Sequence, residues 1–481
     1  MAVEQTPIDN QDERIIHLLN RISFGPSPGD IRYVQKVGMQ KFIDEQLNPQ
    51  LYRDPIDSSN SNEFANLNGD SITLMHQFRE FSKEIKQLKN EHRDQEAREE
   101  SIAYFARTTD AYRKARLIRA INSPRQLEEV MTEFWYNHFN VFSNKVLDLP
   151  LVGPYEEQAI RPFALGKFKQ LVQATCHHPA MLFYLDNWQN TAEGTPGAGG
   201  KNKGLNENYA RELMELHTLG VDGGYKQEDV IQLAKILTGL GLTEPRPKLQ
   251  LQIIDRYGAT FDIARHDMSD KRFLGHVIKG SGEDEIEQAI DILCKHPATA
   301  RHISYQLAQY FVADKPPAQL VARLTAVFTG TGGDIKEMMR TLLGSPEFWD
   351  AQYDQNKFKT PFRYVVSCYR VSGLEPQNYG FVSQTLKGQG QMIYGCLTPD
   401  GYKTIESAWL SPDALLRRIA FATQVGTGHL GGQQYDPPDY KSILATAGGV
   451  VAFRETAPKL AGEPEGLKSA LLLGSPEFMR Y

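Results

Sequence analysis

Apolar residues recur along this chain at the three- and four-residue spacing of helices almost from its start. In "DERIIHLLNRISFG" (12–25), Ile15, Ile16, Leu18, Leu19 and Ile22 repeat with that period, and Gly25 with Pro26 closes the run. "PGDIRYVQKVGMQKFIDEQLNP" predicts two short helices hinged near Gly38, and residues 51–70, rich in Asn, Ser and Asp, predict loop. From Ser71 to about Asn122 the pattern is helical again. Its charged middle, "KEIKQLKNEHRDQEAREE", predicts a solvated helix laced with opposite charges at i,i+4. "QLEEVMTEFWYNHFNVF" predicts an amphipathic helix with an aromatic end, and "PYEEQAIRPFALGKFKQLVQATCHHPAMLFYLDNW" one or two more. The one strand-like segment is "PRPKLQLQIIDRYGATFDIARHD", whose alternation and β-branched residues suggest a small hairpin. Helices resume over 284–349, and irregular stretches follow near 374–404 and 426–440.

These elements predict a mainly α fold: a multi-helix, orthogonal or bundle-like globular domain over 1–481, with at most a small β-hairpin near 245–265. The Gly-rich "TAEGTPGAGGKNKG" (191–204) divides two possible sub-units, 1–190 and 205–481, and is a candidate lid. Two echoes run inside the chain. "LLGSPEFW" ends at Trp349 and "LLGSPEFM" at Met479, each a helix, a glycine stop and a Ser-Pro start that docks a phenylalanine. "HPAML" and "HPATA" read as helix starts, so His178 and His296 are expected to be caps rather than ligands.

Composition narrows the classes. Hydrophobic residues make up 41% and charged residues 23%, and the net charge of −6 gives no pull toward nucleic acid or anionic membrane. The four cysteines, Cys176, Cys294, Cys368 and Cys396, form no close pair, as expected of reduced, buried thiols. The N-terminus carries early acids, with no basic or apolar leader region, and no apolar run is long enough to span a membrane. A cytoplasmic protein is expected.

The densest chemistry lies in "NENYARELMELHTLGVDGGY" (206–225). At about 100° per residue, Asn208, Arg211, Glu212 and Glu215 share one arc, Tyr209, Leu213 and Leu216 another, and His217 lies off the ionic stripe. Two readings follow. Glu207 and Glu215 flank Arg211 at i±4 as an exposed salt-bridge face, or the stripe faces a cleft where one carboxyl becomes a proton donor. Other polar residues stand in aromatic or apolar company: Asn137 and His138 in "EFWYNHF", Asp186 and Asn187 in "FYLDNW", His17 and Arg21 in "HLLNR", and His266 and Asp267 in "RHDMSDK". No H-E-x-x-H, metal-type cysteine pair, EF-hand loop, phosphate loop or G-x-S-x-G elbow occurs. A metal would need ligands from several segments, with His138, Glu212 and His266 as candidates.

The segments "HLLNRISFGPSPGDI", "FWYNHFNV", "HPAMLFYLDN", "NENYARELMELHTLGVDGGYKQEDV", "KRFLG" and "LLGSPEFW" resemble the bacterial domain of unknown function numbered 1800, over nearly the whole chain. The resemblance implies a helical fold and no settled activity. It places a polar signature on His17, Arg21, Asn137, His138, Asp186, Asn187, Asn206, Glu207, Asn208, Arg211, Glu212, His217, His266 and Asp267. Many members of that family look exported, so the missing leader points to a cytoplasmic, biosynthetic version. The "LTGLGL" stretch departs from the tryptophan usual after "LTG". "RELMELHTL" also has a faint likeness to the Arg–Glu helix of haem peroxidases.

The leading expectation is an enzyme acting on a small organic substrate by acid–base chemistry. Glu212 and His138 would exchange the proton, Arg211 would hold an anionic or carbonyl oxygen, and His266 would assist. Asn137, Asp186, Asn187, Asn206, Asn208, His17 and Arg21 would bind substrate. A metal- or haem-dependent oxidoreductase and a non-catalytic binding or assembly protein are the alternatives.

Overall fold

The helix predicted by Ile15, Ile16, Leu18, Leu19 and Ile22 spans Gln11–Ile22 in the computed structural model, which describes residues 8, 10–56, 62–195, 204–242 and 253–481. Asn10 caps its start, its side-chain oxygen accepting from the Asp12 N–H at 2.9 Å. All five apolar residues are buried, each contributing roughly 1.5–3 kcal/mol. At its end Gly25 takes φ +108°, and a Cβ there would lie 2.6 Å from Ser367 Oγ. That contact brings the first helix against the helix Pro361–Ser372. Gly38, at φ +87°, hinges Asp30–Val37 and Met39–Gln46 as predicted.

The molecule is mainly helical. The helical run after Ser71 is broken into Ser71–Asn90, Asp94–Phe105, a wide π turn at Ala106–Asp110, and Ala111–Asn122. Its charged middle is solvated, with Lys83–Glu80 and Arg93–Glu96 ion pairs. His178 and His296 are helix caps, each Nδ1 accepting from the N–H two residues on. Both Ser-Pro echoes also cap: Ser345 Oγ accepts from the Phe348 N–H and Ser475 Oγ from the Phe478 N–H, and both phenylalanines are buried. The end of the second echo meets the segment that follows the first: 357–359 exchanges backbone hydrogen bonds with Met479 and Tyr481.

Strands are few and short. The expected hairpin is present in part: Ile253–Ile254 pairs antiparallel with Ala259–Phe261, while 243–252 lies outside the described residues. A strand the alternation did not reveal, Leu240–Leu242, pairs on the other side of Ala259–Phe261. Two more ribbons, Lys271–Phe273 with His276–Ile278 and His429–Leu430 with Gln433–Gln434, fall where no strand was expected. Of the Gly-rich 191–204 segment, 196–203 lies outside the described residues, and its ends meet where the Thr191 N–H donates to the Gly204 carbonyl. Among the described residues no helix is long and apolar enough to cross a membrane, and the four cysteines are free and buried.

The helix Gln126–His138 runs through the middle of the core. Trp135 is fully buried against Phe134, Phe139 and Phe168, and its Nε1–H donates to the Ala164 carbonyl. The end of this helix carries Asn137 and His138 toward the helix Asn208–Glu215.

His17 and Arg21 belong to the frame. His17 donates from Nε2 to the Phe348 carbonyl at 2.8 Å and faces Asp354 through Nδ1 at 3.2 Å. Burial, the largest cause, lowers its pKa. Arg21 is completely buried and donates to the carbonyls of Phe311, Val312 and Tyr353 and to Asn356. Arg21→Met strands three buried carbonyls and is expected to cost about 3 kcal/mol or more, read as a lowered urea midpoint at unchanged slope. An unchanged midpoint would show that these bonds add nothing.

Candidate functional site

The ionic helix is shorter than its pattern suggests, spanning Asn208–Glu215. The N–H groups of both Leu216 and His217 then fall on the Glu212 carbonyl, so the chain turns out of the helix there. Gly220 at φ +83° follows, packed where a Cβ would lie 2.8 Å from His302 Nδ1. Tyr209, Ala210, Leu213 and Met214 are buried beneath. On the outer face Arg211, 37% exposed, pairs with Glu207 at 3.0 Å and Glu215 at 3.4 Å and donates to Gln227. For Arg211 the surface salt-bridge reading holds, and its charge is already neutralised.

Glu212 differs. It is half-buried, and its carboxyl makes no side-chain hydrogen bond among the described residues. Burial raises its pKa, repulsion from Glu215 and Asp400 raises it further, and Arg211 opposes. Asp400 is placed by a loop that two asparagines pin. Asn137 donates to the Tyr402 carbonyl at 2.8 Å and accepts from the Tyr402 N–H at 2.7 Å. Asn140 donates to the carbonyls of Cys396 and Thr398. Gly401, φ +67°, sits so close that a Cβ would fall 2.2 Å from the Asn137 carbonyl oxygen. Tyr184 donates from its hydroxyl to the Leu397 carbonyl at 2.8 Å and lies within electrostatic range of Glu212, Cys396 and Asp148. Burial acts to raise the Asp400 pKa, yet the Lys403 ammonium at 2.6 Å and Thr398 bring it below the usual carboxylate range. Asp400 thus acts electrostatically on Glu212, and the two carboxyl groups are driven in opposite directions.

The asparagines at the other edge are structural stitches. Asp186, at φ +60°, pairs with Lys145 at 3.0 Å. Asn187 donates to the carbonyls of Leu237 and Leu240, Asn206 to that of Asp186, and Asn208 to that of Leu185. Asn190, which the sequence pattern did not single out, donates to the Ala234 carbonyl and accepts from the Asn206 N–H. These bonds lock the start of the ionic helix onto the 185–190 turn. Asp148, also unforeseen, is wholly buried with neither carboxyl oxygen paired among the described residues. Burial pushes its pKa well up against the pull of Lys145.

The two catalytic histidines expected from sequence do not join Glu212. The His138 Nε2–H donates to the His217 carbonyl at 3.0 Å, and its ring is enclosed by Trp135, Phe139 and Phe168 near His217 and His302. Burial, then repulsion from His302, pushes its pKa down to about 3, so it stays neutral. His266 forms a separate, wholly buried brace: Nδ1 faces the Thr238 carbonyl at 2.8 Å and Nε2 faces Glu285 at 3.0 Å. Glu285 also pairs with Lys271 at 2.6 Å. Asp267 lies at the rim of that brace, 3.8 Å from Lys271. The candidate ligand set His138, Glu212 and His266 is therefore not assembled. Among the described residues no three His, Cys, Asp or Glu side chains are placed to hold a metal.

Missing from the sequence reading were Tyr184, Asn140 and Asp400. Only the "TPDGY" turn around Asp400 carried a local signal, and that signal was conformational.

Two measurements test this geometry. Buried neutral histidines stabilise the fold fully above the ordinary value near 6.5, and that stability is lost as pH falls toward their folded values. With His138 and His178 both near 3, and His217 also well below 6.5, stability should fall from about pH 6.5 downward by up to ~1.4 kcal/mol per unit for each histidine. His178→Asn keeps the cap and should flatten that slope by one proton in urea titrations. Gly401→Ala should destabilise the protein by more than ~1 kcal/mol, because φ and the Asn137 contact both oppose it; equal stability would refute the pinned loop.

No curated protein and no solved structure matches the chain. The model of one family, described as a protein of unknown function (DUF1800), matches residues 17–480. The match takes in the pinned loop, the ionic helix and the His17–Arg21 frame, and the chain belongs to the DUF1800 family.

Proposed function

We propose that this protein is an enzyme acting on a small organic substrate by general acid–base chemistry, with Glu212 as the proton donor and Asp400 as its ionised partner. One observation carries the reading: the environments of these two carboxyl groups push their pKa values apart, Glu212 up and Asp400 down. Such a division assigns acid and base roles within one site. Glu212 delivers its proton to an oxygen or nitrogen of the substrate, and the Asp400 carboxylate stabilises the positive charge that develops. Tyr184, Asn140 and Asn137 act on the loop rather than the substrate, holding Asp400 in place. Glu215 and Asp400 act on Glu212 with negative charge and Arg211 with positive, so a neutral or cationic substrate is favoured over an anion.

A second reading has its own support. Most polar residues of the family signature donate to main-chain carbonyls, as a scaffold for binding or assembly requires. Glu212→Gln separates the two. The enzyme reading expects wild type to convert a member of a mixed panel of small alcohols, amines and carbonyl compounds, followed by mass spectrometry. The variant should be at least ~100-fold slower with its thermal midpoint unchanged. In wild type the rate should fall as pH rises through the Glu212 pKa, because the donor must be protonated. Full turnover by Glu212→Gln would remove Glu212 from the chemistry. A haem band or stoichiometric metal in protein purified without a tag would instead favour an oxidoreductase.

A further inference from the structure

Lys359 is buried among cations. Its ammonium has no carboxylate partner among the described residues and lies 4.0 Å from the centre of the Phe478 ring. Arg418, itself buried and stacked over Phe358 at 4.3 Å, donates from one terminal nitrogen to the Lys359 carbonyl. Its other terminal nitrogen points to no acceptor among the described residues. Lys359 also directly precedes Thr360, the N-cap of the helix Pro361–Ser372. Its positive end disfavours a cation and favours an anion. The side chain lines a cavity of about 20 Å³ together with Asn20, Ser367, Phe453, Glu477 and Phe478. Glu477 does not answer the lysine: its carboxylate accepts from the Glu455 and Thr456 N–H groups and from the Thr456 hydroxyl. Desolvation leads in bringing the lysine down to about 7, with Arg363 and Arg418 adding to it.

The two buried guanidiniums that act on this nitrogen favour an anion of one small group, Glu477 being already bonded elsewhere, and the cavity admits only a guest not much larger than water. Carbon dioxide is apolar, small, and reacts with a neutral amine. We propose that Lys359 is a carbamylation site, taking up carbon dioxide into this cavity to form a lysine carbamate within the electrostatic reach of the buried Arg418 and Arg363 guanidiniums. The amine lone pair forms the N–C bond, one C=O π pair moves onto oxygen, and the nitrogen loses a proton to solvent. No other reactant is needed. The product carries a negative charge where the structure otherwise buries uncompensated positive charge.

The test uses the full chain in carbon-13 bicarbonate near neutral pH. The carbamate is trapped by alkylation with triethyloxonium, and the peptides are read by mass spectrometry. Lys359 should carry the labelled ethoxycarbonyl group at least ~10-fold above exposed, ion-paired lysines such as Lys83 and Lys279. Lys359→Met should lose the adduct. If that variant does not fold, unfolding the wild type in urea supplies the control, since the preference for Lys359 should vanish with the fold. The inference falls if the folded protein shows no adduct on Lys359, or labels exposed lysines equally. It falls too if the preference survives unfolding.

Discussion

Short helices make many helix ends, and each C-terminal end leaves up to four carbonyls without a partner inside the helix. Satisfying those carbonyls is the constraint on which this structure rests. Arg21 serves Phe311, Val312 and Tyr353; Arg363 serves Asn20 and Ser23; Arg370 serves Gly25 and Ile121. Asn187, Asn190 and Asn208 do the same with neutral amides, and Asn137 and Asn140 serve the loop carbonyls of Tyr402, Cys396 and Thr398. A buried carbonyl left alone costs about 1–3 kcal/mol, so each residue matters more through its absence than through the net gain of its bonds. Guanidinium is the suitable group because its donors fork and can serve two or three carbonyls from one buried position.

Electrostatics divide into two kinds around this frame. Arg116, Arg119, Arg161, Glu129, Glu156 and Glu157 form a buried network in which each charge has a partner of opposite sign. Glu212, Asp148 and Lys359 are the opposite: each lacks a partner of opposite charge in hydrogen-bonding contact among the described residues. A fold that satisfies its carbonyls so thoroughly has no architectural use for unanswered ionisable groups. That contrast separates residues held in fixed bonds from ionisable groups left without an opposite charge, a distinction that chemical type alone does not make. His138, His266 and Arg211 are as reactive in principle as Glu212, yet each is held in fixed bonds.

What could be read from the sequence was local. The period of Ile15 to Ile22, the caps at His178 and His296, the Gly38 hinge and the paired Ser-Pro starts depend on residues within a turn or two of one another. The exposed ion pairs of Arg211 at i±4 belong to the same class. Leu240–Leu242 escaped notice because a three-residue strand is too short to show alternation, and its pairing with Ala259–Phe261 is a long-range contact.

The sequence by itself determined that the chain is mainly helical, where most helices begin, which face of Asn208–Glu215 is ionic, and which residues are polar in apolar surroundings. It could not say what those residues meet. Helical periodicity gives the direction a side chain leaves its own helix, not the surface that arrives opposite. Only the tertiary structure pinned the 396–403 loop to Asn137 and Asn140, brought Asp400 within electrostatic range of Glu212, and carried His266 away to Glu285. Desolvation and unlike neighbours, which turn a carboxyl into an acid, are properties of the packed molecule and come into being only when the chain has folded.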